Sequence, residues 1–169
     1  MERRSVAFLS GECRTTPRVC VCTVTTVTNA NNTRESPTVG EPARWSVAGV
    51  FLEALSVRDY ERLAGALHEG VRVRALLPPG SSEWEGRDEA AAVFRSWFGA
   101  ADRFEVVDAT VGDVLGRLQM TWRIRLRPAP FDLGEGWHVI EQHAFADVAD
   151  TIEALDLVCS GFRAEPTGE

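Results

Sequence analysis

Hydrophobic positions recur with two periods along the chain, helical in the first part and strand-like in the second. Ala48, Phe51, Leu52 and Leu55 fall at i, i+3, i+4 and i+7, the stripe of an amphipathic helix. Ser56-Val-Arg-Asp59 matches a capping box, predicting a second helix through Tyr60, Leu63, Ala64 and Leu67 that ends at Glu69-Gly70. Val71 to Leu77 is strand-like and is stopped by Pro78-Pro79-Gly80. Ala90, Val93, Phe94, Trp97 and Phe98 form a third helical stripe, with acids in its first turn and Gly99 at its end.

From Phe104 onward the period is two. Phe104 to Val111 and Gly116 to Arg127 read as strands around a turn at Gly112-Asp113. In the second of them Leu118, Met120, Trp122, Ile124 and Leu126 alternate with polar positions such as Arg123 and Arg125. After a loop over Pro128 to Gly136, Trp137 to Phe162 reads as a closing hairpin. Trp137, Val139, Glu141, His143 and Phe145 share one face of its first strand, which predicts an apolar inner face interrupted by a carboxylate and an imidazole. Ile152, Leu155, Leu157 and Cys159 supply more apolar surface in its second strand, with Leu155, Leu157 and Cys159 alternating to one side. Helices first and antiparallel strands afterwards predict an α+β domain over 45–165, a curved antiparallel sheet packed on three helices, with 166–169 as a tail.

Residues 1–44 show no sustained period and are rich in Thr, Asn, Ser, Pro and Arg, so they read as a disordered extension. A start at a valine codon, Val24 or Val27, would place the upstream residues outside the protein; intact mass decides the point. The formal net charge is -7, and all 18 basic residues are arginine, a bias that fits a GC-rich bacterial genome. An acidic domain without a basic stripe is a poor partner for nucleic acid. No apolar run approaches the roughly 18 to 20 residues that span a bilayer, so a cytoplasmic location and no membrane partner are expected. Cys13, Cys20, Cys22 and Cys159 lack the spacing of a zinc site, and the histidines form no ligand motif, so neither metal nor cofactor is expected.

The order of parts resembles the nuclear transport factor 2-like (NTF2-like) superfamily, including its ketosteroid isomerase and SnoaL-like polyketide cyclase branches. The resemblance rests on the helical hairpin ending in Leu67-His-Glu-Gly-Val-Arg-Val, the Pro-Pro-Gly loop, Glu85-Gly-Arg-Asp-Glu-Ala-Ala-Ala-Val-Phe, and the hairpin Val139 to Phe162. It spans Trp45 to Arg163 and implies a cone-like sheet, a hydrophobic pocket and a homodimer formed through the outer sheet face, with Val106, Leu118 or Ile140 as candidate contacts. In the ketosteroid isomerase branch a tyrosine and a protonated acid form an oxyanion hole while an aspartate moves the proton. The resemblance puts the acid at Glu141, the tyrosine near Phe51 and the aspartate within Ala75-Leu76-Leu77, so two of the three groups are absent. That argues against steroid isomerisation by this mechanism.

A carboxyl group among Trp137, Val139 and Phe145 would lose hydration and become a usable proton donor or acceptor. Glu141 and His143 are therefore the candidate catalytic residues. The structural alternative is that Glu141 pairs with Tyr60, a tryptophan N–H, or an arginine such as Arg74 or Arg123. Phe51, Trp84, Trp97, Trp122, Trp137, Leu155, Leu157 and Cys159 are the candidate ligand pocket. Two functions fit: a cofactor-independent cyclase, isomerase or dehydratase acting on a small hydrophobic molecule, or a non-catalytic ligand-binding or assembly module.

Overall fold

A computed structural model describes residues 41–165. The extension expected over 1–44, with Cys13, Cys20, Cys22 and the proposed starts, lies outside the described residues apart from its last four positions, as does the tail 166–169. The described residues form α1 (Glu41–Val57), α2 (Tyr60–Gly65), β1 (Leu67–Leu77), β2 (Gly80–Glu85), α3 (Arg87–Phe98), β3 (Arg103–Val114), β4 (Arg117–Arg127), β5 (His138–Val148), β6 (Ile152–Cys159) and β7 (Arg163–Ala164).

Helix α1 buries Ala48, Phe51, Ala54 and Leu55, following the predicted stripe, while Leu52 sits at its margin. The capping box does not form. Asp59 itself is the N-cap of α2, its carboxylate accepting the Arg62 N–H at 3.0 Å, whereas the Ser56 hydroxyl donates back to Glu53 O inside α1. Helix α2 stops at Gly65, about one turn earlier than expected, because β1 starts at Leu67 and draws His68, Glu69 and Gly70 into the sheet. Arg58 makes the α1–α2 turn at φ 57° and donates to Phe98 O and Ala101 O, satisfying carbonyls where α3 ends.

The sheet runs β2-β1-β6-β5-β4-β3, with β7 continuing along β5. Its pairs are antiparallel except β1 with β6, so the sheet is mixed rather than wholly antiparallel. The β1–β2 hairpin was not anticipated: Ser81, Ser82 and Glu83 give it no apolar pattern, and only pairing with β1 makes it a strand. The β3–β4 turn falls at Leu115-Gly116, three residues beyond the expected site, with both residues at positive φ as a tight two-residue hairpin requires. One layer of helices covers the inner sheet face, and the core between them is aromatic. Phe51 packs on Phe94 at 5.6 Å and on Trp122 at 5.9 Å, and Phe94 continues to Trp97 at 5.4 Å.

Strand β4 turns Leu118, Met120, Trp122, Ile124 and Leu126 inward as the alternation predicts. Strand β5 is the reverse of the expectation. Its inner face is His138, Ile140, Gln142, Ala144 and Ala146, all buried, and Val139, Glu141, His143 and Phe145 point to the outer face. In the register Ala144 lies between Met120 and Leu157, and Ala146 between Leu118 and Leu155. Large neighbours on both sides leave room only for small side chains there, so the greasier alternate set is the outer one.

Candidate functional site

The open end of the cone holds an apolar cavity of about 480 Å3. Leu77, Pro78 and Pro79 at the end of β1, Trp97 on α3, Ile140 on β5 and Cys159 at the end of β6 form its walls. Phe162 closes one side, and Phe131 and Leu133 of the β4–β5 loop form the rim, with Phe131 packed on Phe162 at 6.3 Å. Ser160 and Gly161 complete the lining, which contains no charged side chain. Gly161 has φ 74° and lies so close to Pro78 that an added Cβ would stand 2.6 Å from the proline ring, so this contact needs glycine twice over.

Polar groups in the lining are already engaged. The Cys159 sulfur accepts the Gly161 N–H at 3.3 Å, and the Ser160 hydroxyl accepts the Glu141 N–H at 2.9 Å while donating to Gly161 O. On the inner face of β5, Gln142 is fully buried and accepts the Trp122 indole N–H at 2.6 Å.

Of the predicted pocket residues, the structure brings Trp97 and Cys159 to the cavity. Trp84 stands edge-on behind Trp97 at 5.9 Å, and Phe51, Trp122, Leu155 and Leu157 belong to the packed core. Trp137 lies against the guanidinium groups of Arg125 and Arg127. Leu77, Pro78, Pro79, Ile140 and Phe162 are cavity residues that the sequence reading did not assign. Their signal was present as a proline corner and a Ser-Gly-Phe end, two stretches that meet only in three dimensions.

The candidate catalytic pair is not at this site. Glu141 is 38% exposed in its side chain and is paired with Arg123 at 3.5 Å and Arg163 at 3.3 Å on the outer sheet face. His143 is exposed on that face between Thr121 and Val158 in the register. Loss of hydration, on which their proposed chemistry depended, is therefore missing. The arginine alternative is the one formed, at the surface rather than in the core. His68 lies in β1, its Nδ1 accepting the Gly70 N–H, and buried His138 stands 3.4 Å from Gly136 O.

The outer face carries rows of ion pairs. Asp156 bridges Arg74 and Arg117, and Arg117 also reaches Asp147. Burial alone would raise the Asp156 carboxyl, but hydrogen bonds from Arg117 and Arg74 outweigh it and hold the group below its ordinary value. Burial also opposes the charge on Arg117, yet its bonds to Asp156 and Asp147 leave the guanidinium raised. Away from the cavity, burial pushes the Tyr60 phenol up against the opposing pull of Arg58 and Arg95. Among the described residues no group of three or more histidine, cysteine or acidic side chains is placed to hold a metal, and no helix is long and apolar enough to cross a membrane.

No family model matches the chain, and no curated protein matches it. In three dimensions it is similar to a candidate polyketide cyclase from Xanthomonas campestris pv. campestris, with 18% identity over 69% of this chain and 90% of that one and a TM-score of 0.54. It is similar to an NTF2-like protein from Burkholderia xenovorans LB400, with 10% identity, coverage of 70% and 90%, and a TM-score of 0.54. A phenazine biosynthesis-related protein from Pseudomonas aeruginosa gives 10% identity, coverage of 70% and 82%, and a TM-score of 0.54. At these identities the likeness is one of fold, and the fold is the NTF2-like α+β cone.

Proposed function

We propose that this domain binds a small, largely apolar organic molecule in the cavity at the mouth of the cone, as a ligand-binding protein rather than an acid–base enzyme. The lining carries this reading: apolar and aromatic side chains around about 480 Å3, with no carboxylate, imidazole or guanidinium among them. Ligand sites of roughly 300 to 1,000 Å3 with this composition are typical of small-molecule pockets. A ligand burying about 200 Å2 of apolar surface would gain ~5 kcal/mol before the cost of association. General acid–base catalysis needs a titrating group within about 3 Å of the proton it moves. Glu141 and His143 are on the far side of the sheet, and Cys159 is the titratable side chain in the lining.

Calorimetric titration with aromatic ketones and polyketide-like aromatics, with product analysis of each mixture, tests the reading. Saturable binding without turnover is expected, and Leu77→Trp, which fills the cavity from its wall, should abolish binding while the far-ultraviolet spectrum is retained. Failure of the whole panel to bind, or binding untouched by Leu77→Trp, refutes it. Turnover of any ligand restores the enzymatic reading.

We also propose that two copies pair through the outer sheet face. Val106, Leu118 and Ile140 all lie on the inner side, so none of them makes this contact. Leu76 and Val158, 56% and 49% exposed, flank a groove on that face beside half-buried Phe145. Pairing there would cover apolar surface. A concentration-independent monomer mass by light scattering overturns it.

A further inference from the structure

The chain between β4, which ends at Arg127, and β5, which starts at His138, is far longer than the two-residue turn that suffices for an antiparallel pair. Both ends of this loop are held: Ala129 is buried, and buried His138 stands 3.4 Å from Gly136 O. Between them, among the described residues, no hydrogen bond or ion pair ties 130–135 to a strand or helix. The Phe131 ring on Phe162, at 6.3 Å between centroids, is the contact that seats the crest of the loop. The crest also holds an unusual backbone. Phe131 at φ 65° and Asp132 at φ 53° are consecutive left-handed residues with side chains, and Gly134 and Gly136 follow at φ 97° and 111°. Left-handed conformations are unfavourable for residues other than glycine, and they gather at segments that switch.

The large side chains on this crest are apolar and stand at the cavity mouth. Phe131 is 71% exposed and Leu133 46%, yet both belong to the lining. Single exposed hydrophobic residues are ordinary on a surface, but these two share a loosely tied loop and stand beside the space in which they would be buried. Leu77, Trp97 and Ile140, across the cavity, belong to β1, α3 and β5, so the loop is the side of the cavity free to move. Rotation of 130–135 about the held ends would carry Phe131 and Leu133 over the mouth. A molecule seated against the opposite walls gives them an apolar surface to pack on, and that contact exists only with the loop down. The ligand thus binds the closed form better by the worth of the contact, which is the condition for a ligand to drive a conformational change.

We propose that residues 130–135 are a lid hinged at Ala129 and Gly136, open as described and drawn down by Phe131 and Leu133 onto an apolar molecule in the cavity. This rests on the reading of the cavity as a binding site. Release of the ligand then waits on reopening of the lid, and residence time is set by Phe131 and Leu133 more than by the walls.

The probe is N-phenyl-1-naphthylamine, which is neutral, largely apolar and fluorescent in apolar surroundings, mixed with the protein in a stopped-flow instrument. With the wild-type chain the observed rate should level off as probe concentration rises, because closure follows encounter. Phe131→Ala should make the rate linear in concentration and speed dissociation about tenfold, the scale of losing one partly buried aromatic contact. Leu77→Ala, on the opposite wall, should weaken binding and leave the levelling in place. The 1H–15N heteronuclear NOE values of the Leu133 and Gly134 amides in the wild-type chain give a readout independent of any variant, and they should rise when the probe is bound. Binding with a rate linear in concentration for the wild-type chain, or with the NOE values unmoved, overturns the proposal and leaves Phe131 a fixed rim. Retention of the levelling in Phe131→Ala overturns it as well. Failure of the probe to bind overturns the lid together with the reading beneath it.

Discussion

Substituting alanine for two glycines should produce opposite changes in stability, and the structure sets the size of each. Gly161 sits at φ 74°, a left-handed conformation that costs an L-residue ~1–2 kcal/mol, and its added Cβ would lie 2.6 Å from Cγ of Pro78. The proline ring is tied to its own backbone and has little freedom to retreat, so overpacking adds about 1–3 kcal/mol. Gly161→Ala should therefore destabilise by roughly 3 kcal/mol, taking the two costs together. Gly49 is exposed within α1, and nothing lies within 4 Å of the Cβ it would gain. Gly49→Ala should stabilise by ~0.5–1 kcal/mol through helix propensity and reduced unfolded-state entropy. Urea unfolding followed by circular dichroism reads both, and with an m-value near 2 kcal/mol/M the midpoints should differ by roughly 2 M. Because Gly161 and Pro78 both line the cavity, Gly161→Ala should also weaken ligand binding, whereas Gly49→Ala should not. A Gly161→Ala midpoint at or above the wild-type value would refute the close packing of the β6 end on the proline corner.

Three further outcomes follow from the geometry. Asp59→Ala should cost about 1 kcal/mol of stability by removing the cap on α2, while Ser56→Ala should be nearly neutral; equal losses in urea unfolding would restore the capping box. Glu141→Gln should cost less than about 1 kcal/mol and leave ligand affinity unchanged, because its ion pairs are on the surface, and a hundredfold loss of binding or activity would contradict that placement. Asp156, with its folded-state pKa held low by Arg117 and Arg74, contributes stability that is full above its unfolded value of about 3.9 and is lost as pH falls through the lower folded value. Asp156→Asn should therefore flatten the fall in stability below about pH 4, and parallel pH profiles for the two proteins would rule the linkage out.

Much of the fold is written in local pattern. The stripes Ala48-Phe51-Leu55 and Ala90-Phe94-Trp97-Phe98, and the alternation Leu118 to Leu126, bury the residues that their periods select. A helix or strand with one strongly apolar side has a single economical way to face a core, so periodicity alone settles its orientation. The NTF2-like order of helices and strands was legible on the same grounds.

Tertiary structure decided the rest. On β5 both alternate sets held apolar residues, and the face was chosen by the large neighbours beside Ala144 and Ala146, which lie 9 to 28 residues away along the chain. That choice moved Glu141 and His143 to the surface and brought Gln142 inside. The cavity likewise joins Leu77 and Pro78 to Ile140, Cys159 and Phe162 through the parallel pairing of β1 with β6, a contact between distant segments that no local period records. The sequence thus determined which segments are amphipathic, because that depends on spacing along one element. Which face of β5 turns inward depended on volume complementarity between elements, which exists only once the chain has folded.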